Sequence, residues 1–217
     1  MAAFPLLVFD LDGTLVDSLP DLTAALNRVM ATKGLPGFTP GAVKPMIGDG
    51  TKMLIARALA ARGQSPNPGD HERFAADYAA HVAVETRPYP HVVETLAALE
   101  AIGWRFAICT NKSTAATEAL LKVLDLRRWF AALGCGDSFA VHKPDPAHLL
   151  GTIAMAGGRI EQALMTGDHR NDIAVAEACQ VRSIFAAWGY GSPTPQHATV
   201  VAQHFAELAQ IAPRLLP

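Results

Sequence analysis

The stretch that most constrains this chain is Leu6-Leu7-Val8-Phe9-Asp10-Leu11-Asp12-Gly13-Thr14-Leu15, close to its N-terminus. Four apolar residues run straight into a carboxylate, an apolar residue, a second carboxylate and a glycine. A short apolar run bounded by a turn signal predicts a strand buried on both faces, as in a parallel sheet. Such a strand cannot bury two carboxylates without a cation or hydrogen bonds, so both should emerge at its C-terminal end. That is the edge where open α/β sheets bind ligands. Asp10 and Asp12 flank Leu11, so they lean to one side while Leu11 points back into protein. Two close carboxylates repel, and a hard divalent cation such as Mg²⁺ would hold them together. Taken alone, the motif reads equally well as a strand ending in an Asp-Gly turn.

The next seventy residues predict helices only. Residues 21–33 place Leu22, Leu26, Val29 and Met30 on one face, between Pro20 and Lys33-Gly34. Thr39-Pro40 starts a short helix that Pro45 limits, and Gly48-Asp49-Gly50 breaks the chain before a helix over 52–62. After a Pro/Asn/Ser/Gly loop, Asp70 is expected to cap a helix carrying Phe74, Tyr78 and Val82. Arg87-Pro88-Tyr89-Pro90 reads as a linker, and beyond it the pattern changes. Helices over 92–102, 113–126 (with Ser113 as N-cap), 147–156 and 171–179 alternate with strands over 104–110, 131–136, 162–166 and 181–186. Alternation of this kind predicts an α/β fold of right-handed βαβ units on a mostly parallel sheet, with helices on both faces.

Composition excludes several classes. The 217 residues, half of them hydrophobic, suit one large domain or a core with an insert. The net charge is -2 and Lys and Arg are scattered, which argues against nucleic acid or an anionic membrane as partner. Cys109, Cys135 and Cys179 show neither disulfide-framework nor zinc spacing, so reduced buried thiols are expected. The first apolar run is too short for a signal or membrane segment. A cytoplasmic monomer or homodimer is the expectation.

The predicted strand ends gather a single chemistry. The second ends in Thr110-Asn111-Lys112, a hydroxyl and fresh N–H groups at a helix start, which suit a phosphate. Lys143 follows the third, and the fourth delivers Asp168, His169, Arg170, Asn171 and Asp172. One crevice would then hold Asp10, Asp12, Asp168 and Asp172 with Thr110 and Lys143. Such a set fits metal-assisted phosphoryl transfer, a reaction of positioning and charge neutralisation. Asp17 and Asp21 are expected only to start a helix, and Cys109 to be packed and inert. The glycines around Asp49 suit close backbone approach. The Gly48-Asp49-Gly50 loop is therefore expected to dip over the crevice and offer N–H groups to the substrate's far end, with Lys44 or Lys52 supplying charge.

In order and spacing, Asp10 through Asp17, Thr110-Asn111, Lys143-Pro144-Asp145-Pro146 and Gly167-Asp168 with Asn171-Asp172 resemble the four motifs of the haloacid dehalogenase-like hydrolases. The likeness runs from residue 6 to about 192. It implies a Rossmann-like three-layer core, residues 1–17 and 87–217, with a helical C1 cap inserted at 18–86. Within the family, the run from Phe9 to Leu22, Ile47-Gly48-Asp49-Gly50 and Trp188-Gly189-Tyr190-Gly191 resemble the phosphoglycolate phosphatases. The resemblance implies Asp10 as nucleophile, Asp12 as general acid and then base, and Thr110, Asn111 and Lys143 on the phosphoryl group. Mg²⁺ would sit on Asp10, Asp168 and the backbone carbonyl of Asp12, with Asp172 orienting Asp168 or Lys143. The implied substrate is a small-molecule phosphomonoester, 2-phosphoglycolate first. A sugar or amino-sugar phosphate, pyrophosphate or a β-phosphoglucomutase-like transfer stay open, as does a non-catalytic phosphate-binding regulatory module, against which the intact Asp10/Asp12 pair stands. Two positions depart from the family pattern. His169 replaces a small hydroxyl residue and is expected to face solvent, and Pro90-His91 stands where Pro-Gly is usual.

Overall fold

The computed structural model describes residues 4–191 and 197–216, so the expected end of the family-like region near residue 192 lies outside them. The chain opens with β1 (Leu6–Phe9) and, after a tight turn, β2 (Val16–Asp17). Four helices follow: α1 (Leu19–Thr32), α2 (Pro40–Val43), α3 (Thr51–Ala60) and α4 (Pro68–Ala80). β3 (Arg87–Pro88) then returns to pair antiparallel with β2. The rest alternates as α5 (Val92–Glu100), β4 (Arg105–Cys109), α6 (Thr114–Val123), β5 (Phe130–Gly134), α7 (Pro146–Met155), β6 (Ala163–Gly167), α8 (Arg170–Ala178) and β7 (Arg182–Ala186). It ends with β8 (Val200–Ala202) and α9 (Leu208–Leu215).

Six strands form one parallel sheet in the order β5-β4-β1-β6-β7-β8, with β1 at its centre. The alternation of side chains along β1 splits the core in two. Leu6 and Val8 pack with Ala107, Met165 and residues of α7 and α8. Leu7 and Phe9 pack on the other face with Phe106, Ile108 and residues of α5, α6 and α9. The Phe9 ring lies 6.1 Å from that of Phe106 and 5.7 Å from that of Phe205. Cutting it back to alanine would cost about 3–5 kcal/mol in transfer and cavity energy. Trp104 and Phe106 belong to this core, as does Trp129 at its edge.

The helical block has a separate apolar centre, built from Leu22, Leu26, Val29 and Met30 of α1 with Leu54, Ile55, Leu59, Phe74 and Tyr78. Two ties hold it where the chain enters and leaves. One is the β2–β3 ladder. The other is Asp21, whose carboxylate accepts from the backbone N–H groups of Glu85 at 3.0 Å and Thr86 at 2.9 Å and from the Thr86 hydroxyl at 2.6 Å. Asp21 thus does more than begin a helix.

Local chemistry moves several expected boundaries. α1 starts at Leu19, because Pro20 fits its first turn, where no N–H bond is required. Asn67, not Asp70, caps α4; Asp70 stands three residues in and accepts from the Asn67 N–H at 2.9 Å as the returning half of a capping box. Ser113 holds the N-cap position of α6, but Asp137 takes the hydrogen bonds, from the Thr114 N–H at 2.7 Å and hydroxyl at 2.6 Å. His91 adopts a left-handed backbone (φ 67°) ahead of α5, the conformation for which glycine is suited.

Candidate active site

Asp10 stands one residue beyond β1, and its N–H donates to the Thr166 carbonyl at 2.9 Å, so the ladder holds the residue at the strand end. The chain then turns at Gly13 (φ +88°), where any Cβ would collide with Asp168 and Tyr190. The Thr14 carbonyl accepts from the Trp188 indole at 3.0 Å. The Tyr190 hydroxyl accepts from the N–H groups of Ser18 (2.6 Å) and Leu19 (2.9 Å) and donates to Asp17 at 2.8 Å.

One half of the site is a cluster of acids. The Lys143 ammonium touches Asp10 at 3.0 Å and Asp172 at 2.5 Å. The Lys143 N–H donates to Nδ1 of His148 at 2.9 Å. Burial and the Lys143 charge push His148 down to about 4, so its ring stays a neutral acceptor. The other Asp172 oxygen accepts from the His169 N–H at 2.9 Å. Asp168 accepts from the Thr14 hydroxyl at 2.8 Å and from the N–H groups of Tyr190 at 2.7 Å and Gly191 at 3.2 Å. Carboxylate oxygens of Asp10, Asp168 and Asp172 lie within 4.8 Å of one another. Three acids against one ammonium leave two negative charges unbalanced. Burial, and then the Asp10 charge, push Asp168 up to about 6. A buried all-oxygen set with that deficit fits a hard divalent cation. Both Asp172 oxygens already carry hydrogen bonds, so its part is to hold Lys143 and the start of α8.

Asp12 belongs to the other half, outside that cluster. Its carboxylate accepts from the Ser18 hydroxyl at 2.5 Å and from the Lys112 ammonium at 3.1 and 3.0 Å. Lys112 donates as well to the Tyr78 hydroxyl of α4 at 3.0 Å. Burial works against the charge on Lys112, but Asp12 and Tyr78 outweigh it and hold the pKa above the ordinary lysine value.

The helical block roofs this pair. Asp10, Asp12, Thr110, Asn111 and Lys112 form the floor of a cleft whose roof is Leu22, Ile47, Gly48, Gly50, Thr51 and Leu54. Thr110 is buried, with its N–H on the Gly134 carbonyl at 2.8 Å. The Asn111 amide donates to the carbonyls of Gly48 (3.0 Å) and Lys143 (3.1 Å), so it bridges roof and floor. Asp49 accepts from Asn171 at 2.6 Å and Arg170 at 3.3 Å, and pairs with Arg57 on its own side. Burial would raise the Asp49 pKa, but Arg57 and Asn171 more than offset it and hold the carboxyl below its ordinary range.

His169 is half-buried and held by protein on two sides, not turned out into solvent as expected. Its Nδ1 caps α8 by accepting from the Asn171 N–H at 3.3 Å. Its ring lies under Gly48 (φ +116°), where an added Cβ would come within 2.6 Å of it. Lys52 is exposed at the start of α3, and Lys44 lines a neighbouring hollow with His169 and Tyr190; neither lines the cleft. Cys109 is fully buried, and burial pushes its thiol up to about 12, so it is inert. Thr14, Ser18, Tyr78, Lys112 and Tyr190 escaped the sequence reading as site residues. The one signal was position: Thr14 lies two residues past Asp12, and Lys112 two past Thr110.

No helix among the described residues is long and apolar enough to cross a membrane. The sequence profile of the haloacid dehalogenase-like hydrolases matches residues 7–186. A phosphoglycolate phosphatase of Agrobacterium fabrum is 44% identical over 190 residues, covering 86% of this chain and 82% of that protein. One from Mesorhizobium japonicum is 39% identical over 222 residues, covering 98% and 96%. The crystal structure of a predicted phosphoglycolate phosphatase from Haemophilus somnus superposes with a TM-score of 0.88 at 31% identity, covering 97% of this chain and 99% of that one. With the profile spanning the strand ends that carry all four motifs, the chain belongs to the haloacid dehalogenase-like hydrolases.

Proposed function

We propose that this hydrolase removes the phosphoryl group of 2-phosphoglycolate with Mg²⁺, through an aspartyl-phosphate on Asp10. It is a phosphoric monoester hydrolase. The observation that carries the finer reading is the division of the two carboxylates: Asp10 in the acid cluster on Lys143, Asp12 outside it at the cleft. Relatives named for phosphoglycolate favour that substrate.

In the first displacement a carboxylate oxygen of Asp10 attacks phosphorus, the bond to the glycolate oxygen breaks, and Asp12 protonates that oxygen. In the second, water attacks phosphorus, Asp12 takes its proton, and the bond to Asp10 breaks. The Asp12 proton transfers are worth roughly 10²–10⁴-fold. Lys143, with Thr110 and the backbone at Asn111, neutralises the oxygens of the transferring group. Asp172 positions Lys143. Mg²⁺ would be held by Asp10, Asp168 and the Asp12 backbone carbonyl, and supplies further charge neutralisation there. Residues 18–86 act as a cap over the core of 1–17 and 87–217, excluding water and opening for release; Gly48, Asp49 and Gly50 are its edge at the cleft. Three buried free thiols support a cytoplasmic enzyme, and the assembly proposed with it is a monomer or homodimer.

Inorganic phosphate release from 2-phosphoglycolate, with Mg²⁺ and after chelation, tests the reading. Turnover should require the metal and vanish in Asp10→Asn with the fold retained. Metal-independent release, or more than a few per cent of activity in deamidation-free Asp10→Asn, would overturn it.

A further inference from the structure

Lys112 has no part in those steps, yet it is built into the cleft. Its side chain is 3% exposed, it bonds both Asp12 oxygens, and its ammonium lies 4.4 Å from the centre of the Tyr78 ring as well as on the hydroxyl. Among the described residues that line the cleft it is the only cation. Asp12 cannot serve Lys112 and a leaving oxygen at once. Once the carboxylate moves away, Lys112 would keep one neutral partner, and a buried charge left so is strongly disfavoured.

We propose that Lys112 determines substrate specificity: the carboxylate at the far end of a short phosphomonoester replaces Asp12 on Lys112 and Tyr78, and so frees Asp12 to turn to the leaving oxygen. The inference rests on the phosphatase reading above and adds the group that recognises the rest of the substrate. An ester without a far-end anion leaves two poor choices. Either Lys112 stays on Asp12, which is then withheld from the leaving group, or Lys112 is stranded. Sites whose buried polar groups lose their partner reject such analogues by orders of magnitude. Tyr78 belongs to α4 in the helical block, so the recognising group is complete only when that block rests on the core. Recognition and closure are thereby one event.

The test compares kcat/KM for 2-phosphoglycolate and for ethyl phosphate, which carries a methyl group where the former has its carboxylate. The wild type should prefer 2-phosphoglycolate by about 100-fold or more. Lys112→Met should bring the ratio to within about fivefold of unity, by losing rate on the carboxylate ester and gaining it on ethyl phosphate, for which Asp12 is no longer withheld, and Lys112→Arg should restore part of the preference. Tyr78→Phe, which keeps the ring, should raise KM for 2-phosphoglycolate several-fold more than KM for ethyl phosphate. Equal losses on both esters in Lys112→Met, a preference that survives it, or a wild type without preference would overturn the proposal. Calorimetric binding of 3-phosphonopropionate against propylphosphonate reads the same carboxylate without turnover. If the wild type hydrolysed neither ester, the phosphoglycolate reading would fall, and this binding comparison, made in the wild type and in Lys112→Met, would still decide for or against Lys112.

Discussion

Lys143 and Lys112 are both buried ammonium groups seated on carboxylates, yet they are held in opposite ways. Lys143 lies wholly within the α/β layers: Asp10 follows β1, Asp172 opens α8, and His148 of α7 fixes its backbone. Lys112 bridges two blocks, with Asp12 below it and Tyr78 above. A cation fixed by one rigid layer is preorganised for charge that always develops in the same place. A cation whose partners sit on separate blocks is complete only in one arrangement of them. In the proposed reaction the phosphoryl half of this site is permanent, and the leaving-group half is conditional.

The largest expected effect separates the two lysines directly. Lys143→Met removes the one ammonium that, among the described residues, touches the three buried acids, and should destabilise the metal-free protein by about 3–5 kcal/mol, with turnover down on the order of 10³-fold. Lys112→Met leaves Asp12, 15% exposed and still bonded to Ser18, and should cost clearly less stability. Equal losses in denaturant unfolding would erase the distinction.

The next effect sharpens the permanent half through pH. In the metal-free fold Asp168 is held up at about 6, above its ordinary 3.8, so the folded state binds this proton more tightly than the unfolded state does. Stability from this group is therefore greatest at low pH and falls as pH rises from about 4 through 6, by roughly 3 kcal/mol. A divalent cation that keeps Asp168 ionised removes the loss. Its stabilising effect, read as the shift in unfolding midpoint with Mg²⁺, should therefore be larger at pH 7 than at pH 4.5. A shift independent of pH would contradict the charge deficit assigned to the cluster.

Two smaller effects probe the conditional half and its surroundings. Gly48→Val places a branched side chain against His169 at a positive φ, and so lifts the roof. It should lower kcat/KM for the small ester on the order of tenfold and for an aryl phosphate less; equal losses would mean the loop is only structural. His91→Gly relieves a left-handed backbone at a residue that does not line the cleft and should add about 0.5–1 kcal/mol of stability with activity unchanged. Thermal unfolding without a gain would show that the strain is absorbed elsewhere.

The permanent half was legible because it depends on strands. Uninterrupted apolar runs mark β1, β4 and β6, and the acid or hydroxyl just past each one (Asp10, Thr110 and Asp168) has nowhere to go but the shared sheet edge. The conditional half was not. Lys112 reads only as backbone of the Thr110-Asn111-Lys112 segment, and Tyr78 reads as one more member of the Phe74, Tyr78, Val82 stripe. Its ring does pack there, and only its hydroxyl reaches across 34 residues of sequence to Lys112. His169 was misread for a related reason: its ring is held by a backbone cap and by Gly48, two partners that no periodicity reveals. β8 escaped because three residues are too few to show a pattern, and β2 with β3 because a two-residue ladder is made by the fold that joins its ends.

In the proposed reaction the permanent half transfers phosphate through Asp10. A crystal structure of the protein grown with Mg²⁺ and beryllium fluoride tests it most directly, since that anion mimics a phosphoryl group on a carboxylate. The adduct should form on an Asp10 carboxylate oxygen, with Lys143 against its fluorines. An adduct on Asp12, Asp168 or any other residue would contradict it.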